Sequence, residues 1–202
     1  MMITKRLPHH QRFRVAAAIA FCLVLASKAQ AQPGGCFERL HHNQPKDADY
    51  YFDLKFDRLI GGGSFSCDLD VRPSEARRVI DDFRFAVIYQ SGVHLRRAVR
   101  FPFKVSRFDS LDISSTSRTM EVRNEQEWLN FVKVGLDSNN LALIGCANLR
   151  NVTIVKARSY GFTIAAGTVW FQRTPVDSRP RVTSINLTPV PEKALIESCL
   201  IK

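Results

Sequence analysis

The cysteines are the residues of this sequence whose type and spacing point most directly to chemistry. Cys22 falls in an apolar N-terminal leader, and the remaining chain keeps an even set of four: Cys36, Cys67, Cys146 and Cys199. None of the spacings is Cys-x-x-Cys, which argues against a thioredoxin-like redox site and against a zinc site. In an oxidising compartment this set favours two structural disulfides with three possible pairings, and reactive or metal-binding thiols are the alternative. A bridge through Cys199 would pin the C-terminal segment to the body of the protein.

Residues suited to acid–base or nucleophilic chemistry are few. The histidines downstream of the leader are His41, His42 and His94. An isolated histidine without a visible partner is more often a surface or helix-end residue than a catalytic one, and we interpret His94 in that way. The sequence contains no Gly-x-Ser-x-Gly elbow and no Gly-Lys-Ser/Thr phosphate loop. It therefore predicts no catalytic residue, no cofactor and no metal ion.

Four basic residues occur close to one predicted strand: Arg96, Arg100, Lys104 and Arg107. On a strand, Arg100 and Lys104 project to the same side, so the four side chains are able to form a local positive patch. Such a patch would meet an acidic partner or a phosphate-bearing ligand. A solvated face that carries charges is the simpler interpretation, and we prefer it.

Residues 1–31 are typical of a secretory signal peptide. Lys5 and Arg6 precede the apolar run 15–26, and Ala29 and Ala31 supply the small residues of a cleavage site. An uncleaved membrane anchor is the alternative interpretation. Cleavage after Ala31 predicts a periplasmic or secreted protein. No later segment has eighteen consecutive apolar residues, so no membrane span is expected after cleavage.

The formal net charge of +10 belongs in large part to this leader. Residues 1–31 contain five basic and no acidic residues, which leaves 24 basic and 19 acidic residues in the remaining chain. These charges are interspersed rather than massed, so nucleic acid is not an expected partner. A hydrophobic content of 45% also excludes a disordered tail.

The patterning of the remaining chain predicts one α+β domain over residues 74–202, preceded by a loop-rich extension over residues 32–73. Apolar residues at three-and-four spacing predict a helix from Ser74 to Gln90. Strict alternation predicts a strand from Val99 to Val105, in which Pro102 requires an edge position or a bulge.

The second half of the chain is expected to contain one helix and several strands. Asn124 begins the helix, and Gly135 ends it. The predicted strands that follow are 141–146, 152–157, 162–173 and 181–187. The third of these contains several small residues, which is typical of a strongly bent strand.

The order of these elements resembles bacterial periplasmic members of the nuclear-transport-factor-2-like superfamily, which have a cystatin-like α+β cone. The resemblance covers about residues 74–188. It is carried by the helix Ser74 to Gln90, the segment Arg100-Phe-Pro-Phe-Lys-Val105, the segment Glu127-Trp-Leu-Asn-Phe131, and the segment from Tyr160 to Phe171.

This resemblance implies a strongly curved antiparallel sheet wrapped around N-terminal helices as a cone-shaped barrel. The apolar side chains of the motifs would then line the cone and possible cavity: Phe101, Phe103, Trp128, Phe131, Tyr160, Phe162, Ile164 and Trp170. On the strand faces that would point inward, the sequence places no acid. Tyr160 is interpreted as a packing aromatic.

Export, bridges and an interior without an acid–base pair together favour a non-catalytic binding module. We expect it to recognise another periplasmic or secreted protein, as an inhibitor or an immunity-type partner. One alternative is an enzyme of the isomerase or dehydratase type that acts on a small hydrophobic substrate in the cone. The other is a carrier of a small apolar ligand.

Overall fold

A computed structural model describes residues 40–59, 64–110, 118–155 and 161–200 of the chain. The predicted leader, Cys36 and Tyr160 lie outside these described residues. Within them, the protein has the α+β class that the sequence predicted, with seven helices and a six-stranded sheet.

Four helices precede the sheet: α1 Ala48–Leu59, α2 Ser64–Leu69, α3 Pro73–Ile88 and α4 Gly92–Ala98. The long helix α3 is the predicted one, and its apolar stripe is buried. Helices α1 and α2 occupy a segment for which the sequence predicted mainly loops. Helix α1 is weakly amphipathic and is stabilised by contacts, because Phe56 is buried in the core and Phe52 lies under the guanidinium of Arg77 at 4.1 Å.

The six strands form one open sheet: β1 Val99–Arg107, β2 Arg118–Val122, β3 Thr153–Val155, β4 Gly161–Ile164, β5 Val169–Gln172 and β6 Arg181–Leu187. Their order is β2-β1-β6-β5-β4-β3. Strands β1 and β6 pair in parallel, whereas the other neighbours pair antiparallel. The prediction of an antiparallel, cone-shaped barrel is therefore wrong, because the long crossover from β1 to β6 creates a parallel pair and the outer strands β2 and β3 do not pair in the described part of the chain.

Pro102 lies in the middle of β1, which is an internal strand of the sheet. The pairing of β1 with β6 shifts register between Val99 and Lys104, and the pairing of β1 with β2 begins at Phe103. Proline has no N–H to donate to a ladder, so the irregularity falls at this residue. The sequence predicted that Pro102 lies either on an edge strand or at a bulge, and it lies at a bulge.

The predicted single strand 162–173 is a hairpin made of β4 and β5. Ala165, Ala166 and Gly167 have φ values of 54°, 53° and 90°, which no strand accommodates. The small residues that suggested a bent strand are the ones that tolerate this turn. Gly161 is required for another reason, since a Cβ there would lie 2.4 Å from the carbonyl oxygen of Phe171 on the neighbouring strand.

Three further helical elements complete the fold: α5 Glu125–Asn130, which continues as a π-helical turn Phe131–Gly135, α6 Ser138–Cys146, and α7 Glu192–Leu200. The predicted strand 141–146 is wrong, because it belongs to α6. The side chain of Asp137 accepts hydrogen bonds from the backbone N–H groups of Asn139 and Asn140 and so caps this helix. An apolar run of six residues does not by itself distinguish a buried strand from a buried helix.

A disulfide joins Cys146 at the end of α6 to Cys199 in α7. The predicted attachment of the C-terminal segment is thereby confirmed. The bridge closes a loop of 53 residues, for which the chain-entropy argument gives a stabilisation of about 4 kcal/mol. Cys67 is also disulfide-bonded.

Candidate functional site on helices α3 and α4

The aromatic side chains expected to line a cavity instead fill the core. Trp128 is fully buried, and its ring lies 5.7 Å from that of Phe83, 5.9 Å from that of Phe103 and 5.7 Å from that of Phe131. Phe162 is also buried, stacked on Phe171 at 4.9 Å. Ile164 is buried, whereas Phe101 and Trp170 are half-buried. The volume that these side chains would have lined is therefore occupied by the side chains themselves.

The four residues of the predicted basic patch have separate surroundings. Arg96 is 2.7 Å from a carboxylate oxygen of Glu125, and Arg100 is 3.2 Å from one of Asp177. Arg107 donates to the carbonyl oxygen of Gly135. Lys104 is exposed, opposite Glu121 on β2. Acids balance two of the four cations, which fits a solvated face better than a binding patch.

A groove of about 530 Å³ lies between α3, α4 and the loop that joins β5 to β6. Eight residues line it: Arg77, Arg78, Asp81, Asp82, Phe85, His94, Arg97 and Arg179. The sequence placed the charged residues of α3 on the helix face opposite the apolar stripe. The groove is the place where this face meets α4.

His94 is held in the groove by a carboxylate. Its Nδ1 lies 2.7 Å from Oδ1 of Asp82, and the imidazole ring packs 5.2 Å from the ring of Phe85. The side chain of His94 is 34% exposed, and that of Asp82 is 14% exposed. Nε2 of His94 makes no hydrogen bond to the described residues, so it is available to a ligand in the groove.

Most of the charges that line the groove have partners. Asp49 of α1 forms ion pairs with both Arg77 and Arg78. Asp81 lies 3.2 Å from Arg84, which also donates to the carbonyl oxygen of Gly145. These pairs leave the local charges of α3 nearly balanced.

Two cations of the groove have no such partner. Arg97 is exposed and Arg179 is half-buried, and neither guanidinium forms an ion pair or hydrogen bond with the described part of the chain, although the backbone carbonyl oxygen of Arg97 accepts a hydrogen bond from Arg181. Arg179 also acts on its neighbour Arg181. Burial lowers the pKa of Arg181, and repulsion by Arg179 lowers it further. The groove therefore carries unbalanced positive charge.

The loop that carries Arg179 is held in place by Asp177. Its carboxylate accepts a hydrogen bond from the Thr174 hydroxyl at 2.6 Å and one from Arg100 at 3.2 Å. The hydrogen bond from Thr174, followed by the bond and charge of Arg100, lowers the pKa of Asp177 below its usual value. On the other side of Arg179, Arg181 donates to the carbonyl oxygen of Arg96 at 2.8 Å, which connects β6 to α4.

An exposed apolar cluster adjoins the groove. It consists of four residues at the end of α3 and the start of α4: Phe85, 42% exposed, Ile88, 45%, Tyr89, 69%, and Val93, 52%. The rings of Phe85 and Tyr89 stack at 5.7 Å. Phe85 belongs to both features, because it also lines the groove. We refer to the groove and this cluster together as the α3–α4 surface.

The sequence contained a signal for this cluster. The buried stripe of α3 explains the apolar residues at three-and-four spacing, among them Phe83 and Val87. Phe85, Ile88 and Tyr89 are large apolar residues outside that stripe. On an otherwise polar helix face, such a group indicates an interaction site more strongly than an isolated histidine or a few basic residues do.

A second histidine–aspartate pair lies at the other end of α3 and is buried. Nε2 of His41 and the hydroxyl of Ser74 each lie 2.9 Å from Oδ2 of Asp53. The backbone N–H of Ser74 donates to Oδ1 at 2.6 Å. The three residue types are those of a hydrolytic triad, but Asp53 is the central residue and the serine donates to the aspartate rather than to the histidine. All three side chains are buried, so we interpret this cluster as a structural cap of α3.

Neither a metal centre nor a membrane-crossing helix is found in the part of the chain that the structure describes. No three His, Cys, Asp or Glu side chains there are grouped to hold an ion. No described helix has the length and apolar character that a membrane span needs.

Comparison of the chain with protein-family models, with curated proteins and with solved structures gives no match. The resemblance to the nuclear-transport-factor-2-like superfamily therefore has no support from these comparisons, and it stays a prediction.

Proposed function

We propose that this chain is an exported, non-catalytic binding protein that recognises another periplasmic or secreted protein through the α3–α4 surface, in an inhibitor- or immunity-type role. One observation carries the proposal. Four large apolar side chains are exposed at the end of α3 and the start of α4, two of them with stacked rings, next to a groove in which Arg97 and Arg179 have no anionic partner among the described residues.

The composition of the surface favours a protein over a small molecule. Single exposed apolar residues are common on any protein, but two exposed rings that stack on each other, with two more exposed apolar residues close in the chain, are typical of an interaction site. Aromatic residues and arginine dominate the residues that contribute most to protein–protein affinity. The partner that fits is therefore an acidic segment with at least one apolar side chain, which would cover Phe85 and Tyr89 while its acid faces Arg97 and Arg179.

The proposal also places the protein outside the cytoplasm, as an exported protein. The basic and apolar leader in residues 1–31 supports it, as do the disulfide between Cys146 and Cys199 and the disulfide-bonded Cys67.

Site-directed photo-crosslinking in the producing cell tests the proposal. A benzophenone amino acid at Tyr89 is expected to give one discrete, heavier adduct whose second component is an exported acidic protein. The control carries the same amino acid at Val134, which is 89% exposed on the π-helical turn and lies in a different groove. The control is expected to give no adduct of that size.

Three outcomes would overturn the proposal. Equal labelling from both positions would show that the α3–α4 surface is not special. An adduct with a second copy of this chain would replace an external partner by self-association. An adduct with lipid or a small molecule alone would remove the protein partner.

A second candidate function is an acid–base enzyme of the isomerase or dehydratase type. It is favoured by the contact between His94 and Asp82, because a carboxylate on Nδ1 orients an imidazole whose Nε2 then transfers protons. The groove offers no hydroxyl or thiol among its described lining residues to serve as a second catalytic group. We therefore prefer recognition to catalysis.

A further inference from the structure

The groove contains an asymmetry of charge that points to a specific ligand group. Arg77 and Arg78 are paired with Asp49, and Asp81 is paired with Arg84. Asp82 is occupied by His94. The cations without partners in the described chain, Arg97 and Arg179, line the same groove as Nε2 of His94.

We propose that Arg97, Arg179 and Nε2 of His94 form an oxyanion-binding subsite that takes a carboxylate or a phosphoryl group of the partner. This inference rests on the proposed function for the origin of the group, but the binding site is defined by the groove itself. It names three side chains as the polar centre of the α3–α4 surface, and the apolar cluster as its rim.

The two arginines fit this role by geometry as well as by charge. A guanidinium presents a planar fork of N–H donors that matches the two oxygens of a carboxylate or two oxygens of a phosphate. Arg179 is half-buried, so less side-chain freedom is lost when it binds. Asp177, Thr174 and Arg100 hold its loop in place before any ligand arrives.

His94 supplies the third donor. In the imidazolium form both ring nitrogens carry protons, so that Nδ1–H donates to Asp82 and Nε2–H is left to donate to an oxyanion in the groove that His94 lines. Asp81 and Asp82 also line the groove, but they are already paired with Arg84 and His94.

Repulsion between cations gives the site a further reason to bind an anion. Arg179 lowers the pKa of Arg181, and the guanidinium of Arg181 is already committed to the carbonyl oxygen of Arg96. An anion placed against Arg179 reduces this repulsion, because it adds negative charge beside the guanidinium, as Asp177 and Asp82 do for Arg181. Binding is therefore expected to be saturable and sensitive to salt.

The test is an NMR titration of the full-length chain, expressed with its leader and purified with its disulfides intact. Inorganic phosphate and acetate are the two probes, and sodium chloride of equal ionic strength is the reference. The Nε–Hε signals of Arg97 and Arg179 and the ring signals of His94 are expected to shift together along one saturable curve. The probe that saturates the site at the lower concentration shows whether the partner supplies a phosphoryl group or a carboxylate.

The variants Arg97→Gln and Arg179→Gln are each expected to raise the midpoint about tenfold, the loss that removing one charge-assisted contact produces. Arg97→Lys keeps the charge without the fork and is expected to lie between these and the unmodified chain. The matched control is Arg150→Gln, at an exposed arginine of the turn Leu149–Asn151, which is expected to leave the midpoint unchanged. Backbone amide spectra verify that each variant is folded.

Absence of saturable shifts with both probes, or equal loss in Arg150→Gln, would overturn the subsite. That failure is distinguishable from failure of the proposed function, because the titration uses no protein partner. A Tyr89 adduct with an acidic protein alongside unresponsive arginines would retain the binding role and remove the subsite.

Discussion

Helix α3 has a histidine–aspartate pair near each end, and the two pairs differ in almost everything except residue type. His41 and Asp53 have side chains 3% and 0% exposed, and Ser74 adds two further hydrogen bonds to the same carboxylate. The side chains of His94 and Asp82 are 34% and 14% exposed, and both residues line a groove. The same chemical pair is thus buried at one end of α3, whereas at the other end it leaves Nε2 of the histidine without a partner in the described chain.

The difference shows that the surroundings of such a pair indicate its role. At the buried end, Asp53 is held by imidazole, hydroxyl and backbone N–H, so none of its oxygens is available to a ligand. At the open end, the pair lines a groove together with the exposed ring of Phe85 and two arginines whose guanidiniums have no partner among the described residues. Satisfied buried polar groups specify a fold, whereas unsatisfied charges at an apolar rim are expected where something binds.

Removal of the buried carboxylate tests this comparison with the largest expected effect. Asp53→Asn should lower the free energy of unfolding by about 3 kcal/mol, because it leaves buried donors without an acceptor. The matched change Asp82→Asn should cost less than about 1 kcal/mol, as expected for a pair that water reaches. Urea denaturation of both variants measures the two values. Equal losses would mean that both pairs are structural.

Chemical accessibility gives the next largest contrast. Diethyl pyrocarbonate should modify His94 at least about tenfold faster than His41, because an imidazole must be reached by the reagent and His41 is buried with its carboxylate. His42 is exposed next to His41 in the chain and serves as the positive control. Peptide mass spectrometry separates the sites. Modification of His41 at the rate of His94 would show that the buried cluster opens readily.

The smallest effect concerns the loop that carries Arg179. The pKa of Asp177 is lowered below the usual 3.8, so the unfolded chain binds its proton more readily than the folded chain does. The stability that Asp177 contributes is therefore complete above about pH 4 and is lost as the pH falls through its lowered pKa. In Asp177→Asn, the free energy of unfolding should therefore fall less steeply as the pH drops below about 4. The difference from the unmodified chain should be less than about 1 kcal/mol. An unchanged slope would mean that Thr174 and Arg100 do not stabilise the ionised form.

The sequence predicted those elements that have a strongly periodic apolar pattern or a local cap. The apolar stripe of α3, the alternation of β1 and the capped start at Asn124 all correspond to observed elements. The strand 181–187 corresponds to β6.

The errors have identifiable physical causes. Helix α6 contains a short apolar run whose pattern fits a strand as well as a helix. The residue that caps the helix, Asp137, lies before this run. The turn at Ala165, Ala166 and Gly167 preserves the alternation of the strands on either side, so periodicity did not detect it. The parallel pairing of β1 with β6 depends on contacts between distant residues, which no local pattern reports.

The candidate site was the least predictable part. His94 was recognised but interpreted as isolated, because its partner Asp82 lies twelve residues earlier on another helix. Asp53 and Arg179 carried no motif at all. The predicted basic patch relied on proximity in sequence, whereas the groove collects its cations from α3, α4 and the β5–β6 loop.

The most direct test of the central claim is the affinity of the crosslinked partner, once purified, for the chain with Tyr89→Ala, measured alongside urea unfolding. Tyr89 is 69% exposed, so its truncation should change the free energy of unfolding by no more than about 0.5 kcal/mol. The dissociation constant should rise about tenfold or more, as expected for a large aromatic side chain that the partner covers. An unchanged affinity, or a loss of stability comparable to that of Asp53→Asn, would contradict the assignment of the open end of α3 to recognition.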